Sequence, residues 1–273
     1  MTLFKSSQAF RGDIIIIAPH MDDEILACGG TIAQLPDKHI IYCIYATDGS
    51  QSPVPIYAWQ GKVTADLPSI RKREAQSAMR VLGIPEENLF FLGLPDRKLR
   101  YYQSELSQKL KECLEQINPS LVFIPFRYDR HPDHIAINHV MRDLEHSADY
   151  HFDLVEYFVY YQWRLLPGGD VRKYVHPDQL IEIDISAESL LKKKALESYV
   201  SQTTVFFPWQ HRPILTKKRV EEVSQSAELF LRRDPNLPSS SVFESLGTWI
   251  RIVHLVEPLL KNWKEQIVGI FRI

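Results

Sequence analysis

Two short stretches of the chain carry the residue types that hydrolytic chemistry needs. In Ala18-Pro19-His20-Met21-Asp22-Asp23-Glu24 an imidazole and three carboxylates fall within about one turn, directly after the apolar run Asp13 to Ala18. The second, Asp129-Arg130-His131-Pro132-Asp133-His134, follows the apolar run Leu121 to Pro125. Pro132 suits the first position of a helix, where its missing N–H would have no intrahelical partner. His131 then stands near the N-cap and His134 three residues on, so both rings project from one face of the opening turn. Two imidazoles and one carboxylate, with a fourth position left for water, form a ligand set for catalytic zinc. Imidazole with carboxylate suits Zn²⁺ better than Mg²⁺, and Fe²⁺ is the alternative. Taken singly, His131 would be a helix cap and Asp22-Asp23-Glu24 an acidic helix start favoured by the dipole. Their joint placement after two strands is what favours a metal site and metal-assisted hydrolysis.

The elements that must position these residues alternate along the chain. Strand-length apolar runs occur at Asp13 to Ala18, Ile40 to Ala46, Leu89 to Leu92, Leu121 to Pro125, Leu154 to Tyr161 and Leu180 to Ile185. Helical periodicity marks Glu24 to Leu35, Ser69 to Leu82, Glu105 to Ile117, Pro132 to Glu145, Ala187 to Val200 and Thr216 to Arg233. Near-continuous apolar strands separated by helices predict a Rossmann-like, doubly wound α/β fold, a mainly parallel sheet with helices on both faces. In the common 3-2-1-4-5 order the first and fourth strands are neighbours, which brings the two polar stretches together at one sheet edge. Residues 1–233 are expected to form one domain. The stretch Asp234-Pro235-Asn236-Leu237-Pro238 reads as a hinge into a helical C-terminal extension, 234–273.

Composition narrows the function. Lys+Arg 32 against Asp+Glu 34 gives a net charge of −2, without the basic field that draws a protein to nucleic acid. Cys28, Cys43 and Cys113 lack CxxC spacing and read as reduced core residues. No secretory leader or spanning helix is evident, so a cytoplasmic protein is expected. The apolar segment Trp249 to Phe271 is expected to bury against the domain or a homo-oligomer interface, in preference to a membrane surface. Two long loops, Gly49 to Pro68 and Thr203 to Pro213, carry Tyr57, Trp59, Phe206, Phe207 and Trp209, candidate walls for a sugar ring.

The motifs His20-Met21-Asp22-Asp23-Glu24 and His131-Pro132-Asp133-His134 resemble the His-Pro-Asp-Asp-Glu and His-Pro-Asp-His signatures of the LmbE-like, or PIG-L, family of N-deacetylases. The resemblance spans roughly residues 13–202. It is supported by Cys28-Gly29-Gly30-Thr31, Arg71-Lys72-Arg73-Glu74-Ala75, Leu92-Gly93-Leu94-Pro95-Asp96, Lys194-Ala195-Leu196 and Ser201-Gln202. Met21 departs from the usual proline but contributes no donor atom. The resemblance implies that His20, Asp23 and His134 hold the metal, that Asp22 is the general base, and that His131, protonated, steadies the oxyanion. It implies also that Arg71 and Asp96 contact sugar hydroxyls. Tyr128 and Asp129 stand beside the second motif with roles the sequence leaves open. The implied activity is zinc-dependent removal of the N-acetyl group from an N-acetylglucosamine-type conjugate, a small-molecule substrate. The competing readings are a zinc amidase or esterase acting on a non-sugar acyl group, and a non-catalytic binding protein that keeps the fold.

Overall fold

The computed structural model describes residues 3–4, 10, 12–35, 41–55, 63, 65–129, 131–147, 150–159, 176–225 and 227–232. The strands are β1 (Leu3–Phe4), β2 (Ile14–Ala18), β3 (Ile41–Thr47), β4 (Leu89–Leu94), β5 (Leu121–Pro125), β6 (Asp153–Tyr157), β7 (Leu180–Ile183) and β8 (Glu228–Arg232). The helices are α1 (Asp23–Gln34), α2 (Leu67–Val81), α3 (Gln103–Ile117), α4 (Pro132–Glu145), α5 (Ser189–Glu197), α6 (Val200–Thr203) and α7 (Lys217–Gln225).

All strands join one sheet in the order β1-β7-β8-β6-β5-β2-β3-β4. Within it β4-β3-β2-β5-β6 is wholly parallel and reproduces the expected 3-2-1-4-5 order. β2 and β5 pair directly, with Ile14 opposite Leu121 and Ile16 opposite Phe123, so the two polar motifs leave adjacent strand ends.

The period-two pleat explains why these strands are apolar throughout. Ile14 and Ile16 face a core shared with α1, α2, α5 and α7, through Ile25, Ile32, Met79, Leu196 and Val223. Ile15 and Ile17 face the other core, shared with Leu106 and Leu110 of α3 and Ile137 and Met141 of α4. Cys28, Cys43 and Cys113 are free and buried, as their apolar settings imply.

The C-terminal third departs from the expected pattern. The helix expected over Thr216 to Arg233 ends at Gln225, and Glu228–Arg232 forms β8, antiparallel to both β6 and β7. Tertiary contacts decide this. Phe230 is fully buried against Phe10 and Phe123, and Glu228 accepts hydrogen bonds from the Gly30 and Thr31 N–H groups at 2.7 Å each. Lys192 completes that buried cluster, donating to Glu228 Oε1 at 2.7 Å and to the Leu26 carbonyl at 3.0 Å. Gly30 lets the helix approach, since a Cβ there would lie 2.4 Å from Ile185. The helix expected over Ala187 to Val200 is likewise two pieces, α5 and α6, with Tyr199 between them. β1 was not anticipated, being only two residues long. The extension expected at 234–273, together with Tyr57 and Trp59, lies outside the described residues. Among the described residues no helix is long and apolar enough to cross a membrane.

Candidate metal centre

The first motif emerges from β2, whose end is fixed by its neighbours. Thr47 at the end of β3 donates to the Pro19 carbonyl through both Oγ1 (2.8 Å) and N (3.1 Å), and the Tyr157 hydroxyl donates to the Ile17 carbonyl at 2.8 Å. The second motif is held by a turn after β5. Asn138 donates to the Pro125 carbonyl at 2.8 Å and to Glu156 at 3.0 Å, and Arg127 pairs with the same Glu156 at 3.0 Å. His131 is the N-cap of α4, its Nδ1 accepting the Asp133 N–H at 3.3 Å, with Pro132 at the start of the helix as the sequence suggests.

The two motifs converge on one oxygen. Asp23 Oδ2 lies 3.1 Å from His20 Nδ1 and 3.2 Å from His134 Nε2. The far nitrogen of each ring meets another carboxylate. His134 Nδ1 is 3.2 Å from Asp129 Oδ2, and His20 Nε2 is 3.2 Å from Asp96 Oδ1 and 3.3 Å from Asp133 Oδ2. Asp23 and His134 are almost wholly buried, and His20 keeps a 9% exposed face. His131 completes the cluster, its ring 4.5 Å from that of His20 and 5.3 Å from that of His134.

Electrostatics follow from this crowding. Burial disfavours the charged form of every group, yet the Asp129 and Asp23 carboxylates outweigh it at His134 and raise its pKa to about 9. At His20 burial is again opposed, by Asp133, Asp23 and Asp96, and the pKa stands well above its ordinary value. Burial would raise Asp23, but His134 and His20 hold it far below the usual carboxylate range. At His131 burial and the charges on His20 and His134 act together and lower the pKa to about 2. Asp22 moves oppositely to Asp23: burial, aided by the neighbouring Asp23 charge, prevails over Arg71 and raises it to about 7.

The donor set fits a divalent cation. In the protein alone, His20 Nδ1 and His134 Nε2 lie against one carboxylate oxygen of Asp23, and His20, Asp23 and His134 are the residues that would hold the metal. The outer nitrogens are already oriented by Asp129, Asp133 and Asp96, the carboxylate–histidine arrangement that supports metal ligands. Among the described residues, the groups whose donor atoms all lie within 4.8 Å of one another are His20, His131 and His134, and His20, Asp96 and Asp133.

Above the cluster opens a cavity of ≈ 250 Å³, lined by His20, Asp22, Asp23, Arg71, Asp96, Arg97 and His131, with Leu26, Ser52, Val159, Gln202, Ile214, Leu215 and Arg219. Residues 15–144 match the family model described as PIG-L: GlcNAc-PI de-N-acetylase. Over that stretch the chain resembles the PIG-L family. A probable N-acetyl-alpha-D-glucosaminyl L-malate deacetylase 2 of Bacillus anthracis is 32% identical over 130 residues, 45% of this chain and 54% of that protein. A diacetylchitobiose deacetylase of Thermococcus kodakarensis is 28% identical over 138 residues, 48% of this chain and 49% of that protein. The chain thus spans about half the length of the curated relatives it matches. Among solved structures, a conserved protein from Thermus thermophilus has 25% identity and a TM-score of 0.58, covering 84% of this chain and 98% of that one.

Within the matched stretch the structure gathers all seven residues singled out from the sequence: His20, Asp22, Asp23, Arg71, Asp96, His131 and His134. His134 lies beneath the cavity rather than on its wall. Arg71 is 1% exposed; it donates to the Met21 carbonyl and sits 3.3 Å from Asp22 Oδ1. Its Nε and Nη1 have no hydrogen-bond partner among the described residues. Asp96 is committed more fully, one oxygen near His20 and the other accepting the Gln51 N–H at 2.9 Å. Gly49 lets the loop press onto this region: φ is +67°, and a Cβ would lie 2.7 Å from Met21 and 3.0 Å from Arg71.

Sequence reasoning passed over Asp133, which binds His20 and also accepts the Arg97 and Leu99 N–H groups at 2.7 and 3.0 Å. Its place in the His-Pro-Asp-His motif was the available signal. Ser52 and Gln202 were also unassigned; they exchange two 3.0 Å hydrogen bonds across the cavity wall. The aromatic loop serves packing instead of the cavity: Phe207 stacks on Trp209 at 5.3 Å, and neither they nor Phe206 line the pocket.

Proposed function

We propose that this domain is a metal-dependent hydrolase that releases acetate from an N-acetylglucosamine-type conjugate. The observation that carries the reading is the divergence of two adjacent carboxylates. Asp23 turns inward to both imidazoles, while Asp22 faces the cavity, where it can take a proton from a water bound there. The relatives named as deacetylases of N-acetylglucosaminyl malate and diacetylchitobiose support the substrate class.

His20, Asp23 and His134 would hold the cation, zinc by preference for that donor set and Fe²⁺ otherwise. Zinc bound there supplies Lewis acidity and lowers the pKa of water to about 7. Asp22 accepts the proton from water as its oxygen attacks the amide carbonyl carbon. His131 donates to the oxyanion through Nε2, since its Nδ1 accepts the Asp133 N–H. When the C–N bond breaks, Asp22 returns its proton to the leaving nitrogen, giving the free amine and acetic acid, which ionises to acetate on release.

Arg71 and Asp96 line the cavity and would meet the sugar hydroxyls there. At ≈ 250 Å³ the cavity falls just below the ~300 Å³ at which drug-sized sites begin. It accommodates one sugar ring and leaves the remainder of a conjugate outside. The test is acetate release by the zinc-loaded protein from a panel of N-acetylglucosamine conjugates and non-sugar N-acetyl amides. Release confined to the sugars supports the reading; equal turnover of simple amides favours a general amidase, and bound zinc without hydrolysis a binding protein.

A further inference from the structure

Asp22 has φ 145° and ψ −23°, a backbone conformation that L residues with side chains rarely adopt. Such a residue persists only where its surroundings over-determine it. The surroundings here act on one peptide unit. The carbonyl of Met21 accepts from Arg71 Nη2, and the N–H of Asp22, the other end of the same planar group, donates to Glu24 Oε2 at 3.0 Å. With both ends held, the plane of that peptide is fixed, and with it the direction in which the Asp22 side chain leaves the backbone.

Glu24 is itself fully buried, and its other oxygen accepts the hydroxyl of Tyr199. Tyr199 lies 175 positions away, is fully buried, and does not line the cavity. Its own carbonyl accepts the N–H groups of Gln202 and Thr203, both at 2.9 Å. The same residue therefore starts the turn that presents Gln202 to the cavity and steadies the carboxylate that holds the Asp22 peptide.

We infer that Tyr199 is a positioning residue for hydrolysis: through Glu24 it holds the Met21–Asp22 peptide and so aims the Asp22 carboxylate. The inference rests on the reading of Asp22 as general base, and it differs from plain core packing in what it predicts. Tyr199→Phe keeps the ring and removes only the hydroxyl. The expected result is a kcat about tenfold lower, because small misalignments of a catalytic group are costly. KM stays within about twofold and metal content is unchanged. In an Asp22→Asn background the same change should alter the residual rate by less than about twofold, since coupled groups are non-additive. An undiminished kcat, or an equal loss in both backgrounds, would overturn the inference. A crystal structure of Tyr199→Phe gives a readout independent of turnover: residue 22 is expected to leave its positive φ or the 21–22 peptide to rotate. An unchanged backbone there counts against the positioning role. If the wild-type protein hydrolyses no N-acetylated sugar, the hydrolase reading fails, and the backbone of the variant still decides whether Tyr199 holds the peptide.

Discussion

His134 touches Asp23 with one ring nitrogen and Asp129 with the other, at 3.2 Å in each case. Asp129 thereby keeps Nδ1 protonated and leaves Nε2 to share the Asp23 oxygen, which is what a metal-binding imidazole needs. Asp129→Asn removes the charge that orients the ring. The expected loss is about 10–100-fold in zinc affinity, read by competition with a chromophoric chelator. Unaltered affinity would mean that Asp129 only caps the turn, through its 2.9 Å bond from the His131 N–H.

The pH dependence of the metal-free protein follows from raised pKa values, that of His20 among them. His134 stands at about 9 against an ordinary 6.5, Asp22 at about 7 against 3.8, and Glu24, raised chiefly by burial, at about 8 against 4.5. A group whose pKa is higher in the fold contributes stability that is complete below its unfolded value and fades as pH climbs through the folded one. All of them therefore act in one direction. The chelated protein should lose thermal stability between about pH 6.5 and 9, and zinc affinity should rise over the same interval as the protons on His20 and His134 are displaced. Unfolding scans of chelator-treated protein at both ends test this; a Tm that increases with pH would contradict it.

Asp22→Asn separates binding from turnover. Asn cannot take a proton, while the groups around Asp23 are untouched. Zinc stoichiometry should match that of the wild type and kcat should fall by about 10²-fold or more. Wild-type turnover with metal in place would remove Asp22 from the mechanism.

Lys192 and Glu228 pair at 2.7 Å with both side chains almost wholly buried, and Glu228 also binds the Gly30 and Thr31 N–H groups. Glu228→Ala strands the Lys192 charge against α1. The expected cost is about 3–5 kcal/mol in denaturant unfolding. A change under about 1 kcal/mol would show that the cluster is not what locks β8 to the helix bearing Asp23.

Much of the fold was legible because burial on both sheet faces leaves a plain mark: Asp13 to Ala18 and Leu121 to Pro125 read as strands, and α/β winding rules made them neighbours. The meeting of the two polar clusters was legible for the same reason, since they follow directly from those strand ends, whereas the choice of His20, Asp23 and His134 as ligands came from the family resemblance. β8 was not, because Glu228 to Arg232 continues a helical pattern and becomes a strand only through Phe230 and Glu228 contacts made far along the chain. The roles of Asp133 and Tyr199 were hidden likewise. Asp133 reaches His20 across 113 positions, and Tyr199 reaches Glu24 across 175, distances at which local sequence carries no geometric information. The aromatic loop misled through composition: Phe207 and Trp209 look like a sugar platform and instead stack on each other.

A single divalent ion is proposed to bind between the ends of β2 and β5. Anomalous diffraction at the zinc edge from crystals of the zinc-loaded protein tests it most directly. One strong peak per chain is expected, within coordination distance of His20, Asp23 and His134. No peak at that position, or a peak held by other residues while this cluster stays empty, would contradict it.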